Sequence, residues 1–365
     1  MKLSNIFFVC CIAVSVHAIE YLYPVGTGIS PEGSDVIYLI YQRSLEHVEL
    51  FAWDPIEGVA HKALLSAYTP AFFHLLPDNS GFSFIDQGRI RIKQFEKRSP
   101  FTIPLYAPID TITSVEWIDA QHCYFTARYA DHFGIFATDL EGNMTTVLSD
   151  DGHDFLYPQQ PAGQLFFIRR SASGNYDIGT QLVNEHDYHI ILNFEETPIA
   201  FLRMIDAEHG FVIQHQAYLD RHDTFSNFAC WYFKKTDGQW KKERIFEFNI
   251  PLDLFFGDTP QRFYESIVPL LPVHIDGNIF FINHNMLTNR LGLYRYELQK
   301  EHYQLAFAPK EPLICCSPTS LFGLIFYGGN VVEYNDGYVH LPSMYLDSDY
   351  AIHVTVPFMM PTQNW

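Results

Sequence analysis

Positive charge is scarce in this chain: 23 Lys and Arg stand against 42 Asp and Glu in 365 residues, a formal net charge of −19. A surface of that sign repels phosphate backbones and anionic headgroups, so nucleic acid and lipid surfaces are excluded as partners. Cysteine is scarce too, with six in the whole sequence. Four of them (Cys123, Cys230, Cys315 and Cys316) lie beyond the first 18 residues, far too few for a disulfide-stapled scaffold. Neighbouring Cys315 and Cys316 read as two small apolar strand residues, with a vicinal bridge or a soft metal as the alternative. No apolar run after the leader reaches the roughly 18 residues a spanning helix needs, so no membrane span is expected. Helical periodicity is nearly absent, and charged residues make up only 18%. Disorder and coiled coil are thereby excluded, and a folded all-β chain is expected.

The first residues read as an address. Lys2 supplies a positive charge, Ile6 to Val16 is an apolar run too short to span a bilayer, and Val16-His17-Ala18 places small residues at −3 and −1 of a cleavage site. Residues 1–18 are therefore expected to be a signal peptide, and residues 19–365 a single domain exported to the periplasm or the medium. Cys10 and Cys11 follow Val9 and Cys10, with no small residue at that place, which disfavours a lipoprotein anchor.

What the sequence has in plenty is aromatic residues, 16% of the chain, arranged in a repeat. A Pro-, Asp- or Gly-rich turn precedes an aromatic-rich strand, a polar gap and two further strands. Pro31, Pro77, Ile118, Pro161, Asp206, Ile275 and Pro318 mark the turns, with steps of 46, 41, 43, 45, 69 and 43 residues. A period of 40–45 residues with several short strands per unit is the signature of a propeller blade. Seven four-stranded blades are expected, with six as the alternative. Val36 to Ile40, Cys123 to Thr126, Gly134 to Thr138, Met144 to Leu148 and Ile279 to Ile282 are typical strands. Asp139-Leu140-Glu141-Gly142-Asn143 reads as a hairpin connection with Gly and Asn free to take positive φ. Phe and Tyr fill the gap that opens between radial sheets toward the rim, so their abundance is a packing requirement before it is a ligand platform.

The motif series Asp139-Leu140-Glu141-Gly142, Leu148, Gly152-His153-Asp154, Tyr157-Pro158, Pro161-Ala162-Gly163 and Leu165-Phe166-Phe167-Ile168 resembles the repeat of TolB-type propellers, also called the WD40-like periplasmic repeat. Ser30-Pro31-Glu32-Gly33 is another near match, and Leu76 to Gly81 a looser one. The resemblance spans most of residues 25–345 and implies blade geometry and an envelope setting. In the Tol–Pal members an α/β domain precedes six blades, and seven units leave no room for it here. A partner site therefore does not carry over. Similar propellers precede the hydrolase domain of prolyl-oligopeptidase-like peptidases, but no Gly-x-Ser-x-Gly elbow occurs in this sequence.

The expected function is a non-catalytic scaffold that binds protein or cell-envelope partners as a monomer. The alternative is a propeller hydrolase of glycosidase or lactonase type with its site at the channel mouth. The 69-residue step marks an insertion around residues 215–268, made of a polar hairpin from His215 to Asn227 and a segment from Ile250 to Val268. Phe255, Phe256, Phe263 and Tyr264 in it are the candidate partner-binding face; the alternative is a plug over the disc. No catalytic residue is assigned. His153 and Asp154 at the bend are expected to satisfy backbone groups. The runs Asn184 to His189 and Asp220 to Asp223 read as solvated hairpins, and Asp150-Asp151 as weak support for the two acids of a glycosidase. No cofactor is expected, with calcium at a channel mouth the alternative. Either residues 20–23 or residues 352–356 are expected to close the ring beside the opposite terminus.

Overall fold

β-branched and aromatic residues at period two give strands, and the computed structural model is built of them throughout. It describes most of the backbone of residues 71–251 and 272–307, and strands alone within 21–67 and 317–361; side chains are described for most of 74–249 and part of 272–302. Among the described residues the strands form seven antiparallel sheets in chain order. Sheet one opens with Tyr21–Ile29, sheet two with Ala71–Leu75, sheet three with Ile109–Trp117 and sheet four with His153–Gln159. Sheets five, six and seven open with Ile199–Met204, Val273–Ile275 and Ser317–Leu321. Sheets two to six are four-stranded meanders, while sheets one and seven each carry a fifth strand.

The repeat seen in the sequence is the first hairpin turn of each sheet. Pro77, Ile118, Pro161 and Asp206 all fall between the first and second strands of their sheets. Ile275 and Pro318 do not: Ile275 ends the strand Val273–Ile275, and Pro318 lies inside the strand Ser317–Leu321. The weak patterning of the last unit misplaced the Pro318 landmark. Met144–Leu148 has the boundaries expected of it. In the hairpin before it, Gly142 takes φ +87° and meets the Pro104 carbonyl so closely that a Cβ would stand 2.2 Å from that oxygen. Asn143 is not left-handed; its backbone N–H instead donates to the Asp139 carboxylate at 2.9 Å.

Hydrophobic burial lies between sheets. Leu76, Ile85, Ile90 and Ile92 of sheet two face Ile112, Val115, Phe125 and Phe136 of sheet three. Tyr124, Ile135 and Leu148 of sheet three meet Phe155, Leu165 and Phe167 of sheet four, whereas Phe166 and Ile168 turn the other way onto Leu202, Val212 and Phe233 of sheet five. The run Leu165 to Ile168 is apolar without interruption because both of its faces are covered. Sheets five and six share a stacked pair, Phe246 and Phe281, with ring centroids 3.8 Å apart.

The 69-residue step is partly strand. Sheet five has strands of 12 and 13 residues, Phe225–Thr236 and Gln239–Pro251. His215 pairs with Phe228 and Ala217 with Asn227, so the ends of the expected polar hairpin belong to the sheet. Its tip, with Asp220 to Asp223, lies outside the described residues, as do 252–271. The two terminal strands stay in their own sheets: Tyr21–Ile29 pairs with Asp35–Ser44, and Ile352–Pro361 with Tyr338–Leu346. Among the described residues neither strand pairs with the opposite end of the chain. Tyr21–Ile29 instead lies alongside Ser317–Leu321, and Ile352–Pro361 near Val59–Ala60.

Candidate functional site

The first strands of the sheets gather together. Tyr21–Ile29 runs beside both Ala71–Leu75 and Ser317–Leu321, and His153–Gln159 beside both Ile109–Trp117 and Ile199–Met204. In sheets one to five this strand also carries a register shift, for example between Leu156 and Gln159, where Tyr157 sits at φ +52°. Bulges re-aim side chains, and here they act on the strands that lie beside one another from sheet to sheet.

At the end of each first strand, next to the first hairpin turn, stands a polar residue. His74, Glu116, Arg203 and His274 are each the penultimate residue of their strand, and Gln159 is the last of its own. Period-two alternation explains the placement. Leu202 and Met204 go into the core between sheets four and five, and Val115 and Trp117 into the core between sheets two and three. Arg203 and Glu116, lying between them, are sent the other way.

Several of these side chains act on one another between sheets. The Gln159 Nε2–H donates to Glu116 Oε2 at 3.1 Å, joining sheets three and four. Burial pushes the Glu116 carboxyl up to about 7, while the Arg203 guanidinium and the Gln159 amide pull in the opposite direction. Burial first, and then Arg203, hold the His74 imidazole down at about 4. Arg203 of sheet five thus acts electrostatically on both His74 of sheet two and Glu116 of sheet three. His74, Glu116 and Gln159 are partly accessible yet surrounded by protein mass, as groups lining a narrow opening would be. At neutral pH the cluster thus presents a permanent cation, a neutral imidazole, an amide and a carboxyl poised between its two states.

The residues singled out in the sequence divide differently. Phe255, Phe256, Phe263 and Tyr264 lie outside the described residues, as do Cys315 and Cys316. Asp154 is structural: it accepts from the Phe133 N–H at 2.7 Å and pairs with Arg170, tying sheet four to the hairpin of sheet three. His153 leans on Asp150, which also accepts from the Gly152 N–H at 2.7 Å. Asp150 is therefore committed to its bend, and Asp151 points to solvent near His132. In the run Asn184 to His189, Tyr188 packs edge-on against Phe155 and Phe167, so that segment is anchored in the core and is not wholly solvated. Cys123 and Cys230 are buried free thiols. Among the described residues no three His, Cys, Asp or Glu side chains converge as metal ligands.

A second repeated device emerges at the same end of the sheets. Asp119-Ala120-Gln121-His122 and Asp206-Ala207-Glu208-His209 fold identically, each aspartate accepting from two backbone N–H groups and from the His Nδ1 at 3.0 Å. This is turn chemistry. The axial cluster went unrecognised in the sequence, although a signal existed: in five units a polar residue stands one to three positions before the landmark turn.

No protein-family model and no curated protein sequence matches the chain. Solved structures do. A puromycin-hydrolysing peptidase of Mycobacterium tuberculosis is similar over 94% of this chain, with a TM-score of 0.59 and 11% identity; the chain spans about half of that protein, 54%. The β-propeller domain of the Trilobed protease from Pyrococcus furiosus, described as having an open velcro topology, is covered completely by 93% of this chain, with a TM-score of 0.53 and 10% identity. A TolB-type protein of Agrobacterium tumefaciens is among the similar structures too, at TM-score 0.43 and 12% identity over 63% of this chain and 89% of that one. At such identities the likeness is one of fold, an all-β propeller architecture, in keeping with the resemblance read from the repeat.

Proposed function

We propose that this chain is an exported, non-catalytic β-propeller of seven blades that binds a partner or ligand through the end of its central channel. The observation that carries this reading is the Gln159–Glu116 hydrogen bond that joins sheets three and four, with Arg203 of sheet five acting electrostatically on Glu116 and on His74 of sheet two. Polar groups that are partly desolvated cost free energy in the empty protein, and a ligand that satisfies them recovers it. Export rests on the leader-like residues 1–18, an envelope setting on the repeat resemblance, and closure of the ring on the packing of Tyr21–Ile29 beside Ser317–Leu321. No helix among the described residues is long and apolar enough to cross a membrane.

One feature favours the hydrolase alternative: a carboxyl near neutrality is suited to general acid–base work. Glycoside hydrolysis needs a second acid. The groups that act on Glu116 are Arg203 and Gln159, and neither is one.

The test is a thermal-shift and calorimetric screen of the full-length protein against short peptides, sugars and small carboxylates, run beside a panel of chromogenic glycosides and lactones. Binding that is lost in the Arg203→Ala, Glu116→Ala double variant, with no turnover, is expected. Turnover that disappears in Glu116→Gln would overturn the non-catalytic reading.

A further inference from the structure

Five serine and threonine side chains are buried among the described residues: Ser83, Ser114, Thr126, Thr138 and Thr180. Three of them have partners. Ser83 Oγ accepts from the Trp117 Nε1–H at 2.7 Å, Thr138 donates to the Asp139 carbonyl at 3.1 Å, and Thr180 donates to the Leu165 carbonyl at 3.0 Å. Ser114 Oγ and Thr126 Oγ1 have no hydrogen-bond partner among the described residues, and they do not bond each other. The other two unpartnered buried atoms, Asp86 Oδ1 and Arg91 Nε, belong to residues already paired with one another. A buried hydroxyl without a partner costs free energy, and folded proteins rarely keep one.

The strand register places these two hydroxyls together. Ser114 and Thr126 are direct partners in the first and second strands of sheet three, Ile109–Trp117 and His122–Tyr129. Val115, Trp117, Phe125 and Ala127 pack into the core shared with sheet two, so Ser114 and Thr126 take the opposite face. Tyr124 lies on that face and packs against Phe155 and Phe167 of sheet four, whose first strand runs beside both strands of sheet three. Glu116 shares the face two residues from Ser114 and carries the hydrogen bond from Gln159. Directly opposed side chains stand about 4.5–5.5 Å apart at Cβ, a gap that one small polar molecule spans.

We propose that Ser114 and Thr126 form a binding site for one buried water molecule, which bridges their hydroxyls within the polar seam that Glu116 and Gln159 make between sheets three and four. The site is independent of the binding function proposed above. Each hydroxyl both donates and accepts, so a single water satisfies the pair whichever way its hydrogens turn. Buried waters typically make about three hydrogen bonds to groups that would otherwise be unpaired. Two come from the hydroxyls, and Glu116 is the further polar group on the same face. A metal ion suits the site less well. Calcium takes about six to eight oxygens, several of them from carboxylates, and this face offers one carboxyl, which already feels the Arg203 cation.

The experiment compares thermal melts of the full-length protein with those of Thr126→Val, Ser114→Ala, their double variant and the reference Thr180→Val, alongside a high-resolution crystal structure of the wild type. Thr180 has its partner, so Thr180→Val reports the loss of a bonded buried hydroxyl, a fall in melting temperature of about 2–4 °C. Thr126→Val, which keeps the side-chain shape, and Ser114→Ala should each fall by a similar amount. The double variant should fall by little more than either, because all three lose the same water. The crystal should show one peak within about 3.2 Å of both hydroxyl oxygens. If Thr126→Val melts at or above the wild-type temperature while Thr180→Val falls, the Thr126 hydroxyl is dry and the site does not exist, since deleting an unpartnered buried group is neutral or stabilising. A loss in only one of the two single variants overturns a shared water. So does a direct Ser114–Thr126 hydrogen bond in the crystal, or a peak whose oxygen shell and dependence on sodium or calcium in the melt identify it as a cation.

Discussion

Replacing Glu116 by Gln is expected to stabilise the protein, and to do so more as the pH rises. Glu116 holds its proton up to about 7 in the folded chain, against an ordinary value of 4.5. The folded state thus binds this proton more tightly than the unfolded state does, so the group contributes most at acid pH. Stability is given up progressively as the pH rises from 4.5 to about 7, and the penalty is constant above that. The gap is about two and a half pH units, each worth about 1.4 kcal/mol, which sets a ceiling of about 3.5 kcal/mol. The glutamine is always neutral and escapes the penalty, and its own side-chain oxygen can still accept from the Gln159 amide. Its advantage over wild type should therefore be near zero at pH 4.5 and reach about 2–3 kcal/mol at pH 8.

His74 makes the opposite slope. Its value falls from 6.5 to about 4 on folding, so it costs stability as the pH drops through that interval. The measurement is urea unfolding, followed by tryptophan fluorescence, of wild type, Glu116→Gln and the control His74→Gln at half-unit steps from pH 4.5 to 8.5. A Glu116→Gln advantage that does not grow with pH would show that Glu116 is solvated like an ordinary surface carboxylate. The axial cluster would then be an artefact of proximity, without the desolvation on which its binding role depends. A His74→Gln advantage that does not grow as the pH falls from 6.5 toward 4.5 would refute the burial of His74 in the same way.

Phe246→Ala should cost about 3–5 kcal/mol, the range for emptying a buried aromatic site, because its ring is stacked at 3.8 Å on Phe281 in the next sheet. Urea unfolding checks it, and a loss below about 1 kcal/mol would mean that sheets five and six are not joined there. Burial pushes the Cys123 thiol up to about 12 and raises that of Cys230 as well, so neither should react with a thiol reagent at pH 8 until the protein is unfolded. Mass spectrometry of trapped native protein gives the answer; rapid native modification of either residue would contradict their placement in the core.

Much of the fold was legible because its physics is local and repeated. A turn that needs Pro, Asp or Gly recurs at nearly constant spacing, and the strand after it must be apolar on both faces, as Leu165 to Ile168 shows. What blurred the reading was departure from the repeat. Pro318 looked like the turn because proline usually marks one, but proline is also tolerated in some strand positions. The long step looked like loop because His215, Asn227 and their neighbours are polar, yet both belong to paired strands of sheet five. Polar residues at the outer reach of a strand do not distinguish sheet from loop. Asn143 was free to take positive φ, whereas its N–H found the Asp139 carboxylate; composition alone does not choose between those two outcomes.

The axial cluster escaped for a different reason. His74, Glu116, Gln159 and Arg203 are separated by about forty residues each, and no two belong to one motif. Singly, each is a polar residue near the end of a short strand. They become a candidate site only because the first strands of successive sheets lie beside one another, which brings equivalent positions of the repeat within electrostatic reach. The informative comparison was therefore along columns of the repeat, at the positions just before each turn, and not along the chain. In that column the fixed blade geometry imposes no residue type, since the side chains leave the inter-sheet core on the face opposite Leu202 and Val115. Residues that packing leaves unspecified yet that cost free energy to bury are where a repeat scaffold can hold a function, and in this protein they carry a cation, an amide and a carboxyl whose charge changes at neutral pH.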